Sequence, residues 1–300
     1  MPIALVYAVV VLIWSTTPLA IFFSNADFGF SLSVLLRMAI GVVLVWLLLA
    51  IGKRKLLASR NDWRVGALAS IGIFPAMPLV YWATQFVPTG LVSLMFSSSP
   101  FFVGGLSWFV LGEAMGARKV AGVCVAFVGM AIIFLDQMQF GMQTVYGILV
   151  LIASTFFFSC SAVLLKKYNA HTSPLQQAGG SMLFALPGLL VTWLVVDGSV
   201  PSAVNWQPSL ALLYLAVVGS VVGFSGYFYL LKNLTASSVS LISMLSPVLA
   251  MGWGFLFKGE VVNIIFLTGA AILLLGLGVY SGVLKVRRRA KGLAHVEPNV

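Results

Sequence analysis

Hydrophobic and polar positions along this chain alternate in long blocks, not at the short periods of amphipathic helices or strands. Ten apolar runs lie near residues 3–23, 31–52, 65–86, 91–111, 118–135, 145–165, 175–196, 209–231, 238–257 and 263–284, separated by short polar connectors. A run of about 20 residues crosses a hydrocarbon core of about 30 Å as a helix, so the pattern predicts ten membrane spans. No connector has the length or composition of a soluble domain. The first run lacks a basic leader, and removing it would leave one half of the chain a helix short, so it reads as a span and not as a signal peptide.

The pattern also repeats. Shifted by 147 positions, Val92-Ser93-Leu94 falls on Val239-Ser240-Leu241, Ser99-Pro100 on Ser246-Pro247, Gly105 on Gly252 and Gly112-Glu113 on Gly259-Glu260. Gly122 then meets Gly269, and Gly129 meets Gly276. Matched Ser-Pro and Gly-Glu pairs at one offset carry the inference, because Leu and Val coincide readily between apolar segments. The chain is therefore two copies of one unit, with expected boundaries at 1–138 and 139–284 and a basic tail at 285–300. Five spans per copy is an odd number, so the second copy enters the membrane inverted. The fold class expected is an all-α polytopic membrane protein of ten transmembrane helices in two inverted five-helix repeats. That architecture underlies alternating access in many carriers.

Composition agrees. The chain is 61% hydrophobic and 8% charged, with a mean hydropathy of +1.08, whereas a soluble domain carries about 25% charged residues. The net charge of +10 lies in loops and tail, which points to lipid and not to nucleic acid. With both ends cytoplasmic, fifteen of the seventeen Lys and Arg residues fall on the cytoplasmic side; only Lys258 falls outside, and Arg37 lies within the second span. The positive-inside rule thus orients a multi-pass membrane protein with both ends cytoplasmic. Glu113 and Glu260 then lie at opposite faces.

Candidate chemistry is sparse inside the spans. Ser93, Ser97, Pro100, Gly104 and Ser107 share a face of the fourth span, and Ser240, Met244, Pro247, Met251 and Gly254 share one of the ninth. Small residues there suit close packing. Pro100 and Pro247 each free a backbone carbonyl one turn earlier, near Phe96 and Ser243, which lipid tolerates only beside protein or a watery cavity. Ser97, Ser98, Ser99, Ser243 and Ser246 offer hydroxyls at that depth. Arg37, the one charge inside a span, either snorkels outward towards Asp27 or faces a cavity and receives a carboxylate or phosphate. The first span breaks polarity at Trp14-Ser15-Thr16-Thr17-Pro18, answered by Phe158-Ser159-Cys160-Ser161 in the sixth; Tyr81, Trp82, Thr84 and Gln85 lie in the third, Tyr227 and Tyr229 in the eighth. Trp14 and Tyr227 are mid-span, where an interfacial aromatic belt does not explain them.

Other chemistries lack their residues. Cys124 and Cys160 sit in apolar runs and read as small hydrophobes. No Asp or Glu lies deep in a span, His171 and His295 have no metal-ligand spacing, no phosphate-binding Walker loop is present, and no serine has a Lys or His partner at depth. No enzyme activity, cofactor or metal is expected.

Ten spans in inverted copies, Trp14-Ser15, Arg37, the segment from Thr89-Gly90-Leu91 through Ser99-Pro100 to Gly112-Glu113, and its counterpart from Ser238-Val239-Ser240 through Ser246-Pro247 to Gly259-Glu260 resemble the EamA branch of the drug/metabolite transporter superfamily. The resemblance extends to about Leu284. It implies small-molecule transport, often export of amino acids or other metabolites, through a cavity walled by helices other than the fifth and tenth. It also implies moving hairpins, here Val87-Pro88-Thr89-Gly90 at the outer face and Asn233-Leu234-Thr235-Ala236 at the inner. Phosphate-carrying relatives use buried basic residues in late spans; here Lys232 and Lys258 lie at span ends, which disfavours a phosphorylated substrate. The expected function is secondary export of amino acids or related, partly apolar metabolites. Substrate contacts are expected at Trp14, Ser15, Arg37, Tyr81, Gln85, Ser97, Ser98, Tyr227, Ser243 and Ser246, and hinges at Pro18, Pro88, Pro100 and Pro247. Protons are a candidate coupling ion, and the protein is expected as a monomer or homodimer. A passive facilitator or channel and a multidrug exporter are the alternatives.

Overall fold

A computed structural model describes residues 2–112, 116–137, 141–168, 172–240, 242–259 and 263–282. All regular structure among them is helical. The first two spans form one stretch, α1 (Ile3–Ile51), broken at Gly29, where φ 66° and ψ 164° suit a residue without a Cβ. The break divides it into limbs 3–28 and 30–51.

Several expected spans are discontinuous. The third is α2 (Arg60–Ser70) followed by α3 (Ala76–Ala83), and the fourth is α4 (Thr89–Phe96) followed by α5 (Ser99–Leu111). Pro100 therefore does not kink a continuous helix; it occupies the first turn of a new one, where its missing N–H leaves no bond unmade. The fifth, sixth and seventh spans are the unbroken α6 (Ala117–Gln137), α7 (Met142–Tyr168) and α8 (Pro174–Val196). The eighth contains α9 (Trp206–Tyr214), a π-helical segment (Leu215–Val222) and α10 (Gly223–Asn233). The ninth is α11 (Ala236–Ser240) and α12 (Ile242–Lys258), and the tenth is α13 (Ile264–Ser281). Glu113, Glu260, His171, His295 and the tail lie outside the described residues.

The two copies meet along α6 and α13, which pack antiparallel. A Cβ placed on Gly122 would lie 2.7 Å from the Gly276 carbonyl oxygen, and one on Gly129 would lie 2.6 Å from that of Gly269. Only glycine permits that approach. Gly122 and Gly129 are the repeat counterparts of Gly269 and Gly276, so exchanging the copies maps this contact onto itself. An interface with that property requires a two-fold relation across the helices, the geometry of inverted repeats. Val125, Phe127 and Val128 of α6 and Ile265, Leu267 and Leu275 of α13 stay exposed, an apolar perimeter suited to lipid.

The start of α2 is tied by hydrogen bonds to the connector that leads into α8 of the other copy. Ser59 and Asp62 form a capping box at the start of α2. The Thr172 hydroxyl donates to Asp62 Oδ1 at 2.8 Å, and Asn61 Nδ2 donates to Thr172 Oγ1 at 3.1 Å. Burial alone would raise the Asp62 carboxyl, but hydrogen bonds from Thr172, Ser59 and Ala58 outweigh it and hold it below the usual range.

Two outcomes follow for stability. Gly129→Val and Gly276→Val each lower thermal stability in detergent by at least the ~1–3 kcal/mol of an overpacked core. Gly105→Val, where an added Cβ meets nothing within 4 Å, melts near wild type. For Asp62, a lowered native value means that its contribution is complete above the unfolded value of about 3.9 and fades as pH falls through the native one. Melting temperatures of Asp62→Asn, measured from neutral to acid pH, should therefore lack the part of the acid decline that this carboxylate causes in the wild type.

Candidate functional site

The site forms where the fourth and ninth spans cross. Pro247 has no N–H, so the Ser243 carbonyl one turn before it loses its helical donor. The Ser97 hydroxyl supplies one from the other copy, at 2.6 Å. In the first copy the corresponding carbonyl belongs to Phe96, and the counterpart of Ser97 is Met244, which has no hydroxyl. There the chain breaks at Ser97–Ser98 before Pro100. One proline, matched in both copies, thus meets two different local solutions.

A cavity of about 90 Å³ opens beside this crossing. That is smaller than the roughly 150 Å³ void that accepts benzene in an engineered core, so a substrate with more heavy atoms needs the walls to part. Ile21, Met77, Val80, Val92 and Val103 give it an apolar side. Trp14, Phe158 and Tyr227 form a ring cluster on another, with centroids 5.1 Å apart for Trp14–Tyr227, 5.6 Å for Trp14–Phe158 and 5.2 Å for Phe158–Tyr227. Thr17, Ser93, Ser99, Ser240, Ser243 and Ser246 add hydroxyls, and Arg37 adds the charge. No α6 or α13 residue lines it.

Arg37 is only 2% exposed. Its Nε donates to Ser220 Oγ at 2.8 Å and a terminal nitrogen donates to the Tyr81 hydroxyl at 3.2 Å. Its guanidinium carbon lies 5.9 Å from the Phe224 ring centroid. Gly219 leaves room for the other terminal nitrogen, which an added Cβ would approach to 3.1 Å. The snorkelling alternative is not what the structure shows, since Asp27 instead accepts from the Asn205 backbone N–H at 2.6 Å. Both side-chain partners of Arg37 are neutral, and among the described residues no Asp or Glu lines the cavity. A guanidinium has five N–H donors in a planar fork, and the bonds to Ser220 and Tyr81 use only part of that set.

Of the residues expected at the site, Trp14, Arg37, Tyr227, Ser243, Ser246 and Pro18 line the cavity. Tyr81 stands behind Arg37. Ser15 donates to the Leu12 carbonyl at 2.8 Å and accepts from Trp253 Nε1 at 3.2 Å. Ser97 braces the crossing, and Ser98, in the break between α4 and α5, donates back to the Met95 carbonyl at 2.7 Å. Gln85 is exposed and turns back to the Trp82 carbonyl at 3.1 Å. Pro88 caps α4 in the turn before it, and Pro100 and Pro247 flank the crossing. Ser220, Gly219 and Phe224 escaped the sequence reading. Their only signal was an adjacent Gly-Ser pair in mid-span, now seen in a π-helical segment, a form that recurs at functional sites.

The cavity reaches Ala236 and Val239 at the start of α11. At the other end of the crossing, Thr89, Leu91 and Val92 are almost fully buried, and a Cβ on Gly90 would lie 2.8 Å from Met251 Cγ. This conformation is packed shut at that end of the crossing. Among the described residues no His, Cys, Asp and Glu cluster could hold a metal ion.

Ser97→Ala tests the brace. Removing the donor of a buried carbonyl is expected to cost about 1–3 kcal/mol, visible as a lower melting temperature, whereas Ser98→Ala stays within about 0.5 kcal/mol of wild type.

The family model described as "EamA-like transporter family" matches residues 1–135 and again 145–282. The "Uncharacterized transporter YoaV" of Bacillus subtilis (strain 168) is 27% identical over 283 residues, covering 93% of this chain and 96% of its own. The "Probable amino-acid metabolite efflux pump" of Escherichia coli (strain K12) is 26% identical over 227 residues, covering 73% of this chain and 76% of its own. A solved crystal structure has a TM-score of 0.70 at 19% identity, covering 94% of this chain and 98% of that one, and so shares the fold.

Proposed function

The chain belongs to the EamA-like transporter family, and from that premise we propose that it exports amino acids or related, partly apolar metabolites by alternating access. That it is a multi-pass membrane transporter follows from the family; substrate, direction and mechanism are our reading. One observation carries the substrate class: a buried guanidinium faces a largely apolar cavity with only neutral protein partners. Leaving such a charge unpaired in a low-dielectric site is costly, so a carboxylate on the cargo is its natural complement. The relative named for amino-acid metabolite efflux supports the same class.

In this reading Arg37 orients the carboxylate, with Tyr81 and Ser220 fixing its fork. Trp14 and Tyr227 stack on the apolar part of the substrate. Ser243 and Ser246 meet its polar groups, while Ser15 and Ser97 hold the wall from behind; Ser98 and Gln85 receive no contact role. Pro18, Pro88, Pro100 and Pro247 mark the points where the third–fourth and eighth–ninth hairpins swing. The two repeats divide at residues 138 and 139, and the tail from 285 rests on anionic lipid. The protein works in a bacterial inner membrane with both ends cytoplasmic, as a monomer or homodimer, and performs no chemical step. Protons are the candidate coupling ion, and among the described residues the cavity lining holds no carboxylate or histidine.

Counterflow of labelled apolar amino acids in proteoliposomes tests this. The wild type is expected to exchange at least one of them, and Arg37→Gln to lose about 10- to 100-fold in apparent affinity, the range for a lost charge-assisted bond. Unchanged affinity in Arg37→Gln, with the protein folded, would remove the anchor from the reading.

A further inference from the structure

A groove of about 640 Å³ lies behind α10, on the side away from the central cavity. Val222 and, along α10, Ser225, Gly226 and Tyr229 line the groove, whereas Phe224 and Tyr227 line the cavity. Positions three, four and seven apart share one helix face, and the other pair falls on the opposite one. Leu5 and Val9 of the first limb, Leu48 of the second and Leu175 at the start of α8 add apolar wall. We propose that this groove binds an anionic phospholipid. One acyl chain fills it, the phosphate pairs with Arg54, and an ester carbonyl accepts from the Ser225 hydroxyl. The site is separate from the transport reading, and its test needs no substrate.

The walls call for a hydrocarbon chain. Leu5, Leu48 and Val222 are exposed on membrane-spanning helices, where the surrounding medium is lipid and not water. The groove is also well above the roughly 150 Å³ void that accepts benzene.

Charge selects the headgroup. Arg54 lines the groove just past the end of the second limb, and it is exposed, with Lys53 and Lys55 exposed on either side. Among the described residues no Asp or Glu lines the groove. The next carboxylate along the chain, Asp62, already accepts from Ala58, Ser59 and Thr172. Ser173 and Pro174 line the groove as well, so the positive end of the α8 dipole adds to the same field. Basic pockets between spans at the membrane surface are where anionic headgroups bind. A zwitterionic headgroup brings its own cation and gains less there.

The hydroxyl selects the class of lipid. Ser225 Oγ is buried with no hydrogen-bond partner among the described residues, which is costly where only hydrocarbon is near. Ser225 lies seven residues before Lys232, on the order of 10 Å below the basic end of α10. A phospholipid carries its ester carbonyls below the phosphate, between headgroup and chain, and so brings an acceptor to that depth. A fatty acid has only its carboxylate, which can serve Arg54 or Ser225 but not both.

The test uses the full-length protein in detergent and a phosphatidylglycerol with a photoactivatable diazirine in one acyl chain. Labelled residues are mapped by mass spectrometry. Unlabelled dioleoyl phosphatidylglycerol, dioleoyl phosphatidylcholine, oleate and inorganic phosphate are the competitors. Phe127, exposed on α6, is the internal reference for unselective lipid contact. The wild type should be labelled at Leu5, Val9 and Val222, and phosphatidylglycerol should displace that label about fivefold better than phosphatidylcholine. That is the scale of one basic side chain at a membrane surface. Label at Phe127 should yield to both lipids equally. Arg54→Gln should bring the two lipids together. Ser225→Ala should weaken phosphatidylglycerol about two- to tenfold, the range of one neutral hydrogen bond, while the lipid-free protein melts no lower than wild type. Val9→Trp, which fills the groove, should remove its label and spare that at Phe127; Val222→Trp fills it from the other wall if Val9→Trp does not fold. Equal displacement by both lipids, displacement by inorganic phosphate alone, or oleate as effective as phosphatidylglycerol overturns the proposal. So does a preference untouched by Arg54→Gln, or groove label that survives filling.

Discussion

Hydrocarbon offers no hydrogen bonds, so every polar group placed between the faces of this protein must find its partner inside the protein. That constraint organises the centre of the molecule. Pro247 removes the donor of the Ser243 carbonyl, and a hydroxyl from the other copy replaces it. Arg37 brings a charge to the same depth and holds it with a serine on a π-helical segment and a tyrosine on α3. Ser240, Ser243 and Ser246 donate to carbonyls three or four residues earlier. Beside the cavity stand the Arg37 guanidinium, the serine hydroxyls and the rings of Trp14, Phe158 and Tyr227.

Symmetry and its failure divide the labour. Along α6 and α13 the copies are strict counterparts, glycine against glycine, and the contact is backbone-close. Such an interface resists deformation and suits a fixed perimeter. At the crossing of the fourth and ninth spans the counterparts diverge: Ser97 against Met244, a broken helix against an unbroken turn around the proline. The two ends of the crossing are also packed differently, with Thr89 to Val92 buried and Ser237 and Ser238 partly exposed. Inverted copies that are alike in fold but unlike in local packing can exchange those packings, which is the structural requirement of alternating access.

Much of this was legible in the chain before any coordinates. Block hydropathy and the 147-residue offset specify ten spans and their inversion, because bilayer thickness leaves helices few options. Trp14 and Tyr227 stood out by being aromatic at mid-span, and Arg37 by being charged. Span continuity was not legible. A hydropathy run does not distinguish one helix from two stacked pieces, so the breaks at Gly29 and at Ser97–Ser98 went unseen. Ser220 and Gly219 went unseen too, because their importance lies in facing Arg37 from 183 positions away in the chain, and a lone sequence carries no record of that encounter. Nor does the sequence separate Ser243 and Ser246, which line the cavity, from Ser98, which does not; all three donate to a carbonyl three or four residues earlier, and only packing tells them apart.

The central claim is that the fourth and ninth spans part at the end now shut, and a reversible cross-link tests it most directly. A Cβ on Gly90 would stand 3.5 Å from the Met251 Cβ, within the range of about 3.5–4.5 Å that a disulfide spans. The measurement is counterflow by a Gly90→Cys/Met251→Cys variant in which Cys124 and Cys160 are replaced, before oxidation, after it, and after reduction. The account predicts that oxidation abolishes exchange and reduction restores it. Full exchange through a verified cross-link would contradict it, because the substrate would then be passing without the parting of these helices.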